Sequence, residues 1–183
     1  MRYDLIKKTI LFMLFVTYTN LSYASNSSIY VYPNVLLQSI TSSDSSYRGI
    51  SPKLALGYGT ILGQSFFLAG EVSATIGTAE LSNNTDTDGT SVRVNRSYDV
   101  SFLPGMLFTE NTLGFLRLGV VSSNFSEPNT TATGGEIGFG LQFALLNCWY
   151  IRGEYFYTAY STIKDLGTPV SDTVALGAVY TFN

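Results

Sequence analysis

The chain has 183 residues, of which 45% are hydrophobic and 13% are charged, and its ten basic and thirteen acidic residues give a net charge of −3. A chain with so few cations does not suit a nucleic-acid partner. Histidine is absent and Cys148 is the single cysteine, which excludes Ser-His-Asp catalysis, imidazole metal ligands and an internal disulfide. We therefore expect no catalytic residue, no metal and no cofactor.

The start of the chain has the pattern of a secretory signal. Three basic residues precede an apolar run over residues 9–18, and small residues lie just before the predicted cleavage site. The run is shorter than the roughly 20 apolar residues that span a bilayer, which favours a cleaved signal over a transmembrane anchor. We predict cleavage between Ala24 and Ser25, so that residues 1–24 form the signal peptide and residues 25–183 form one mature domain.

Eight segments of the mature chain consist of strand-forming residues, most of them alternating between apolar and small or polar side chains, which is typical of β-strands. Long connections rich in Ser, Thr, Asn, Asp and Gly alternate with short ones, so all the long connections fall at one rim. This order predicts an all-β, eight-stranded antiparallel up-and-down transmembrane β-barrel. The predicted strands are 29–38, 53–61, 66–78, 94–108, 113–122, 135–145, 149–160 and 173–182. The predicted long connections are 39–52, 79–93, 123–134 and 161–172.

The two faces of these strands differ in chemistry. In strand 135–145, for example, Ile137 and Phe139 alternate with Gly138 and Gly140. A soluble barrel such as a lipocalin would turn the apolar face inward and crowd its outer face with Lys and Glu. Here the other face is mostly Gly, Ala, Ser and Thr, which suits the narrow interior of an eight-stranded barrel. The pattern therefore favours apolar side chains toward lipid and polar ones toward the lumen.

Aromatic residues cluster near the ends of the outward faces, as in the interfacial girdles of membrane barrels. A general preference of aromatic residues for strands does not predict such clustering. The candidates are Phe66, Phe108, Trp149, Tyr180 and Phe182 at the short-turn rim and Tyr157 at the other rim.

The last predicted strand carries a motif at its end. Gly177, Tyr180 and Phe182 form a glycine followed by two spaced aromatic residues. This motif resembles the C-terminal assembly signal of small outer-membrane barrels of the OmpA, OmpX and opacity-protein types, and residues 151–155 resemble the penultimate strand of opacity-like proteins. The resemblance implies a location in the bacterial outer membrane, with outer-membrane lipid and the barrel-assembly machinery as partners.

Charged residues on inward-facing positions are the candidate site, and four of them lie at one level, roughly four to six residues along their strands from the short-turn rim. An unpaired charge in a narrow, partly dry interior costs several kcal/mol, so such charges persist there when they are paired. We predict an ion network that closes the lumen, and the alternative is a gate whose pairs exchange to pass ions. The predicted network consists of Glu71, Arg117, Arg152 and Glu154, with Lys53, Asp99 and Glu136 as candidates for a second layer nearer the long connections.

Function on a rigid scaffold collects in its loops, so the four long connections are the expected contact surface. Tyr47 and Phe125 are the nearest candidates for aromatic anchors there. The leading hypothesis is a surface protein that contributes to envelope integrity or contacts a host or surface ligand. A narrow channel for ions or small solutes is second, and a lipid-active enzyme is a distant third.

Overall fold

The structure is a computed structural model that describes residues 26–42, 45–75, 79–83, 92–125, 130–162 and 168–182. Within these residues no helix is long and apolar enough to cross a membrane. The predicted signal peptide and its cleavage site at Ala24 and Ser25 lie outside the described residues. The strands are β1 (Asn26–Ser42), β2 (Ser45–Leu62), β3 (Phe66–Thr75), β4 (Ala79–Asn83), β5 (Val92–Thr109), β6 (Thr112–Phe125), β7 (Thr130–Leu146), β8 (Trp149–Tyr160) and β9 (Val170–Phe182).

These nine segments fill eight positions of a closed antiparallel barrel. β3 and β4 share one position, because each of them pairs with β2 on one side and with β5 on the other. β1 pairs with β2 and also with β9, which closes the wall. Every position therefore has two neighbours, and the sheet has no free edge. The predicted eight-stranded fold is confirmed, with its third strand divided in two.

The strands extend further than predicted at the rim of the long connections. β1 and β2 pair without interruption as far as Ser42 and Ser45, so the prediction of a long connection over 39–52 was wrong. Its Ser, Thr and Asp residues suggested a loop, but a strand between two paired neighbours tolerates such residues. Elsewhere at this rim the strands are separated by residues 84–91, 126–129 and 161–169. At the opposite rim, the β2–β3 turn contains Gly63 with a φ of 66°, a conformation that glycine adopts without strain.

Apolar side chains cover the outside of the wall. In β7, Ile137 and Phe139 are 59% and 58% exposed, whereas the alternating Gly138 and Gly140 are buried. This is the inside-out arrangement of a membrane barrel and the opposite of a lipocalin. At the short-turn rim the ring of Tyr180 lies 4.9 Å from that of Trp149 and 5.0 Å from that of Phe182. These rings, together with the exposed Phe66 and Phe108, form the expected aromatic girdle.

The interior is not uniformly small and polar. Its short-turn half contains a packed apolar cluster, and the ring of Tyr30 occupies the space left by Gly57. A Cβ atom on Gly57 would lie 2.1 Å from that ring, so the glycine makes the close approach possible. The cluster also shows that Val179 points inward. Its buried members are Tyr30, Tyr32, Ala55, Ala69, Leu103, Leu113, Phe115 and Val179.

Candidate functional site

Seven charged side chains converge in the lumen. Each lies on an inward-facing position. Side chains alternate along a strand, so the residues on either side of each one face outward. All of them are at most 7% exposed. They are Lys53 on β2, Glu71 on β3, Asp99 on β5, Arg117 on β6, Glu136 on β7, and Arg152 and Glu154 on β8.

The structure joins the four residues of the predicted network into one ring. Arg117 donates through Nη1 to Glu71 Oε1 at 2.8 Å and to Glu154 Oε2 at 3.1 Å. Arg152 donates through its own Nη1 to Glu71 Oε2 at 2.8 Å and to Glu154 Oε1 at 3.5 Å. Both carboxylates therefore bridge both guanidinium groups, and each carboxylate oxygen has a cationic donor.

The three candidates for a second layer are continuous with this ring. Lys53 Nζ lies 2.5 Å from Asp99 Oδ2, and Arg117 Nη2 lies 2.7 Å from Asp99 Oδ1. Ser73 also donates a hydrogen bond to Asp99. Arg117 Nε lies 3.5 Å from Glu136 Oε2, and this pair has no hydrogen bond. Arg117 therefore contacts all four carboxylates of the interior.

Aromatic and amide side chains that the sequence analysis did not select surround the two arginines. The guanidinium carbon of Arg152 lies 4.9, 4.7 and 5.1 Å from the ring centres of Tyr30, Tyr32 and Phe115. Such contacts stabilise a cation that has been removed from water. Gln142 accepts a hydrogen bond from Arg152 Nε at 2.9 Å. Gln142 lies on an inward-facing position directly opposite Arg152 on the neighbouring strand, and this pairing is the feature that could have predicted the contact.

Phe156 contacts two cations of the charged layer. Its ring centre lies 5.3 Å from both Lys53 Nζ and Arg117 Cζ, so that one ring faces two cations. Phe156 is 3% exposed and packs with Leu36 and Ala175. The alternation of β8 placed it inward, but only the three-dimensional arrangement shows which cations it meets.

The side chains of the charged layer pack closely in the lumen. Among the described side chains around Tyr32, Glu71, Arg117, Glu154 and Phe156, the remaining space does not admit a water molecule. On the short-turn side, a cavity of about 160 Å³ extends from the rim to Arg152. This cavity therefore ends at the ion network.

The charges of the layer do not balance. Three cations face four carboxylates, which leaves one negative charge if all are ionised. Glu136 is the least tightly held carboxyl, because its Oε2 accepts no hydrogen bond and its Oε1 meets Thr158 only at 3.5 Å. Within the described part of the chain, no group of three or more His, Cys, Asp or Glu residues is arranged to hold a metal ion.

The predicted assembly motif lies on β9 at the short-turn rim. Gly177 packs closely against β1, where an added Cβ atom would lie 2.2 Å from the carbonyl oxygen of Pro33. Tyr180 and Phe182 belong to the aromatic girdle described above. Cys148 lies partly exposed in the β7–β8 turn, and its carbonyl accepts a hydrogen bond from the Thr181 amide at 3.0 Å. The side chains of Tyr47 and Phe125 lie outside the described residues.

A closed barrel with an apolar outer wall and a filled, charged lumen defines the class of small transmembrane β-barrels of the outer-membrane type. No protein-family model matches the chain, and no curated protein matches its sequence.

Among solved structures, the chain is similar to Neisserial surface protein A, with a TM-score of 0.58 and 18% identity over 86% of this chain and 100% of that one. It is also similar to Ail, the attachment invasion locus protein of Yersinia pestis, in complex with the heparin analogue sucrose octasulfate. That match has a TM-score of 0.52 and 23% identity over 85% of this chain and 97% of that one. OprG from Pseudomonas aeruginosa matches with a TM-score of 0.50 and 10% identity over 88% and 98% of the two chains. At these identities the similarity establishes the fold.

Proposed function

We propose that this chain is an exported protein of the bacterial outer membrane with a structural and surface-contact role. The closed barrel with its apolar outer wall and aromatic girdle supports a membrane location. Cleavage between Ala24 and Ser25, and recognition of Gly177, Tyr180 and Phe182 by the barrel-assembly machinery, are parts of this proposal. Heat-modifiable migration of the protein extracted from outer membranes tests the location. Recovery of the protein in the soluble fraction would contradict it.

The observation that carries the proposal is the filled layer across the lumen. A transport role requires a continuous aqueous path, whereas the ring of Glu71, Arg117, Arg152 and Glu154 occupies the section with paired, buried charges. Exchange of partners within the ring would require transient loss of ion pairs in a dry environment, which is costly. We therefore favour a closed barrel over a narrow channel.

Planar-bilayer recording decides between these two roles. The purified protein is inserted into a planar bilayer with the same salt on both sides, and the protein-free control is a bilayer that received detergent alone. We expect no steady conductance from the closed barrel. Steady channels, abolished by a bulky substitution on the lumen wall, would establish the channel instead.

The rim opposite the short turns is the proposed contact surface. β1 and β2 remain paired there as far as Ser42 and Ser45, so this part of the surface consists of paired strands. The names of two similar proteins, a surface protein and an attachment protein, support a contact role of this kind.

The charges at this rim restrict the ligand. Segments 39–52, 76–98, 121–134 and 158–173 together contain four basic and seven acidic residues, a net charge of −3. A polyanion of the heparin type would meet net repulsion, so we propose a neutral or basic partner surface. Cells that display the barrel with these tips shortened should lose adhesion and keep heat-modifiable migration. Unchanged adhesion would contradict the contact role.

We also propose that the barrel is not an enzyme. The chain has no histidine, and Glu71, Asp99 and Glu154 are each paired with at least one cation in the lumen. A carboxylate held in this way is a poor general base for a substrate outside the wall. Incubation with phospholipid and lipopolysaccharide, followed by mass spectrometry of the lipids, should show no product.

A further inference from the structure

Two of the ladders that form the wall lack two consecutive pairs, and each gap contains a proline. In the β1–β9 ladder the pairing stops at Val31 with Tyr180 and resumes at Asn34 with Gly177. Pro33 lies in this gap. Among the ladders between described strands, this one and the β5–β6 ladder are the two that omit two consecutive pairs. Proline has no N–H to donate, so a ladder bond is missing from the wall.

The second gap lies in the β5–β6 ladder. There the pairing stops at Phe102 with Leu118 and resumes at Gly105 with Phe115, and Pro104 lies between them. Both prolines pair normally with the strand on their other side, Pro33 with Leu54 and Pro104 with Leu68. Each proline therefore weakens one ladder and leaves the next one intact.

The two gaps lie on opposite sides of the barrel. The strand order divides there into a first half-shell of β1, β2, β3 with β4, and β5, and a second half-shell of β6, β7, β8 and β9. Each half-shell contains four of the eight barrel positions. The wall is thus interrupted at one place in each of two opposed ladders, β1–β9 and β5–β6, and we call these two ladders the seams.

Three ion pairs of the charged layer cross from one half-shell to the other. The carboxylate of Glu71, in the first half-shell, pairs with Arg117 and Arg152 of the second. Each arginine Nη1 lies 2.8 Å from one of its two oxygens. Asp99 of the first half-shell pairs with Arg117 of the second, with 2.7 Å between Oδ1 and Nη2. In contrast, the contact of Arg117 with Glu136 stays within the second half-shell. Glu71 is therefore the carboxylate that ties both arginines across the lumen.

We propose that the barrel is a pair of half-shells hinged at these two seams and latched across the lumen by Glu71. The gaps permit local opening of the wall, and the latch opposes that opening at both seams together. Loss of the latch loosens two ladders that Glu71 does not touch. This device concerns motion of the wall and is independent of whether the surface rim binds a partner.

Hydrogen exchange of the barrel in lipid nanodiscs, resolved by residue, tests the latch. Glu71→Gln removes two crossing ion pairs, and Glu136→Gln is the matched control because it removes a contact within one half-shell. Hydrogen bonds to charged groups contribute enough that we expect Glu71→Gln to speed exchange about tenfold or more at residues 178–179 and at residues 116–117. The control should leave both seams unchanged. The amides of Phe139 and Tyr155 serve as the reference, because the β7–β8 ladder pairs continuously from Gly134 to Ala144.

A second variant keeps the test decisive if Glu71→Gln folds poorly. Pro104→Val supplies the missing donor, so it should slow exchange at residues 116–117 and leave residues 178–179 as they were. Three results would overturn the proposal. The first is that amides at the seams of the unmodified protein exchange as slowly as those of the β7–β8 ladder. The second is that Glu71→Gln changes exchange at one seam alone. The third is that Glu71→Gln and Glu136→Gln change exchange at the seams equally.

Discussion

Replacement of Arg117 by methionine is the most informative perturbation of the charged layer. Methionine keeps an unbranched, mainly apolar side chain, although a shorter one, and removes the charge that contacts all four interior carboxylates. Asp99 would retain Lys53, and Glu71 and Glu154 would retain Arg152. Glu136 would lose the cation at 3.5 Å that stands nearest to it. Two cations would then face four carboxylates in the lumen.

The expected loss of stability follows from burial. Arg117 is 1% exposed, and Glu71 and Asp99 beside it are 2% and 4% exposed. Removal of one partner of a buried ion pair costs about 3–5 kcal/mol. Since about 1.4 kcal/mol changes an equilibrium constant tenfold, the unfolding constant of Arg117→Met should rise by more than about a hundredfold.

Urea unfolding in phospholipid vesicles measures this change. Trp149, the single tryptophan, is 44% exposed on the outer wall, so its fluorescence reports the loss of lipid contact on unfolding. Arg96→Met is the matched control, because Arg96 is exposed on the outside of β5. Its effect should stay within about 0.5 kcal/mol. A loss below about 1 kcal/mol for Arg117→Met, the range of solvated surface pairs, would refute the argument that the layer is dry.

Three further outcomes are expected. Gly177→Ala forces a Cβ atom to within 2.2 Å of the Pro33 carbonyl, so it should cost about 1–3 kcal/mol in thermal unfolding, whereas Gly153→Ala, with a nearest contact at 3.9 Å, should be nearly neutral. Equal melting temperatures for the two variants would contradict the close approach at the seam. Phe182→Ala should reduce the heat-modifiable fraction in outer membranes, and an unchanged fraction would remove Phe182 from the assembly signal. The protein should pass through immobilised heparin at physiological salt, and retention there would contradict the charge argument.

The alternation of side chains was sufficient to predict the architecture and the placement of the charges. Glu71, Arg117 and Glu154 stand on inward positions at similar distances from the short turns, and this simple count anticipated that they meet. The count could not show that Arg117 also reaches Asp99 and Glu136. That contact depends on strand tilt and stagger around the barrel, which the pattern of a single strand does not contain.

Other features do not follow from local composition. Residues 39–52 are rich in Ser and Thr, yet their backbone pairs continuously, since the neighbouring strands supply the hydrogen bonds. Tyr30 and Val179 lie in stretches where both faces are apolar, so their inward direction was not evident. The interior of the short-turn half is apolar because rings fill the space above glycines such as Gly57.

The apolar outer face also determines which bilayer fits the protein. On β1 the exposed apolar positions run from Ile29 to Leu37, and on β7 they run from Ile137 to Leu145. Eight residue steps at about 3.4 Å give about 27 Å along the strand. A strand tilt of about 40° reduces this to a hydrophobic height of about 21 Å. That height matches bilayers of short-chain lipids, so a thicker membrane must thin around the barrel. The energy of this mismatch between wall and bilayer would favour the thinner membranes of the cell.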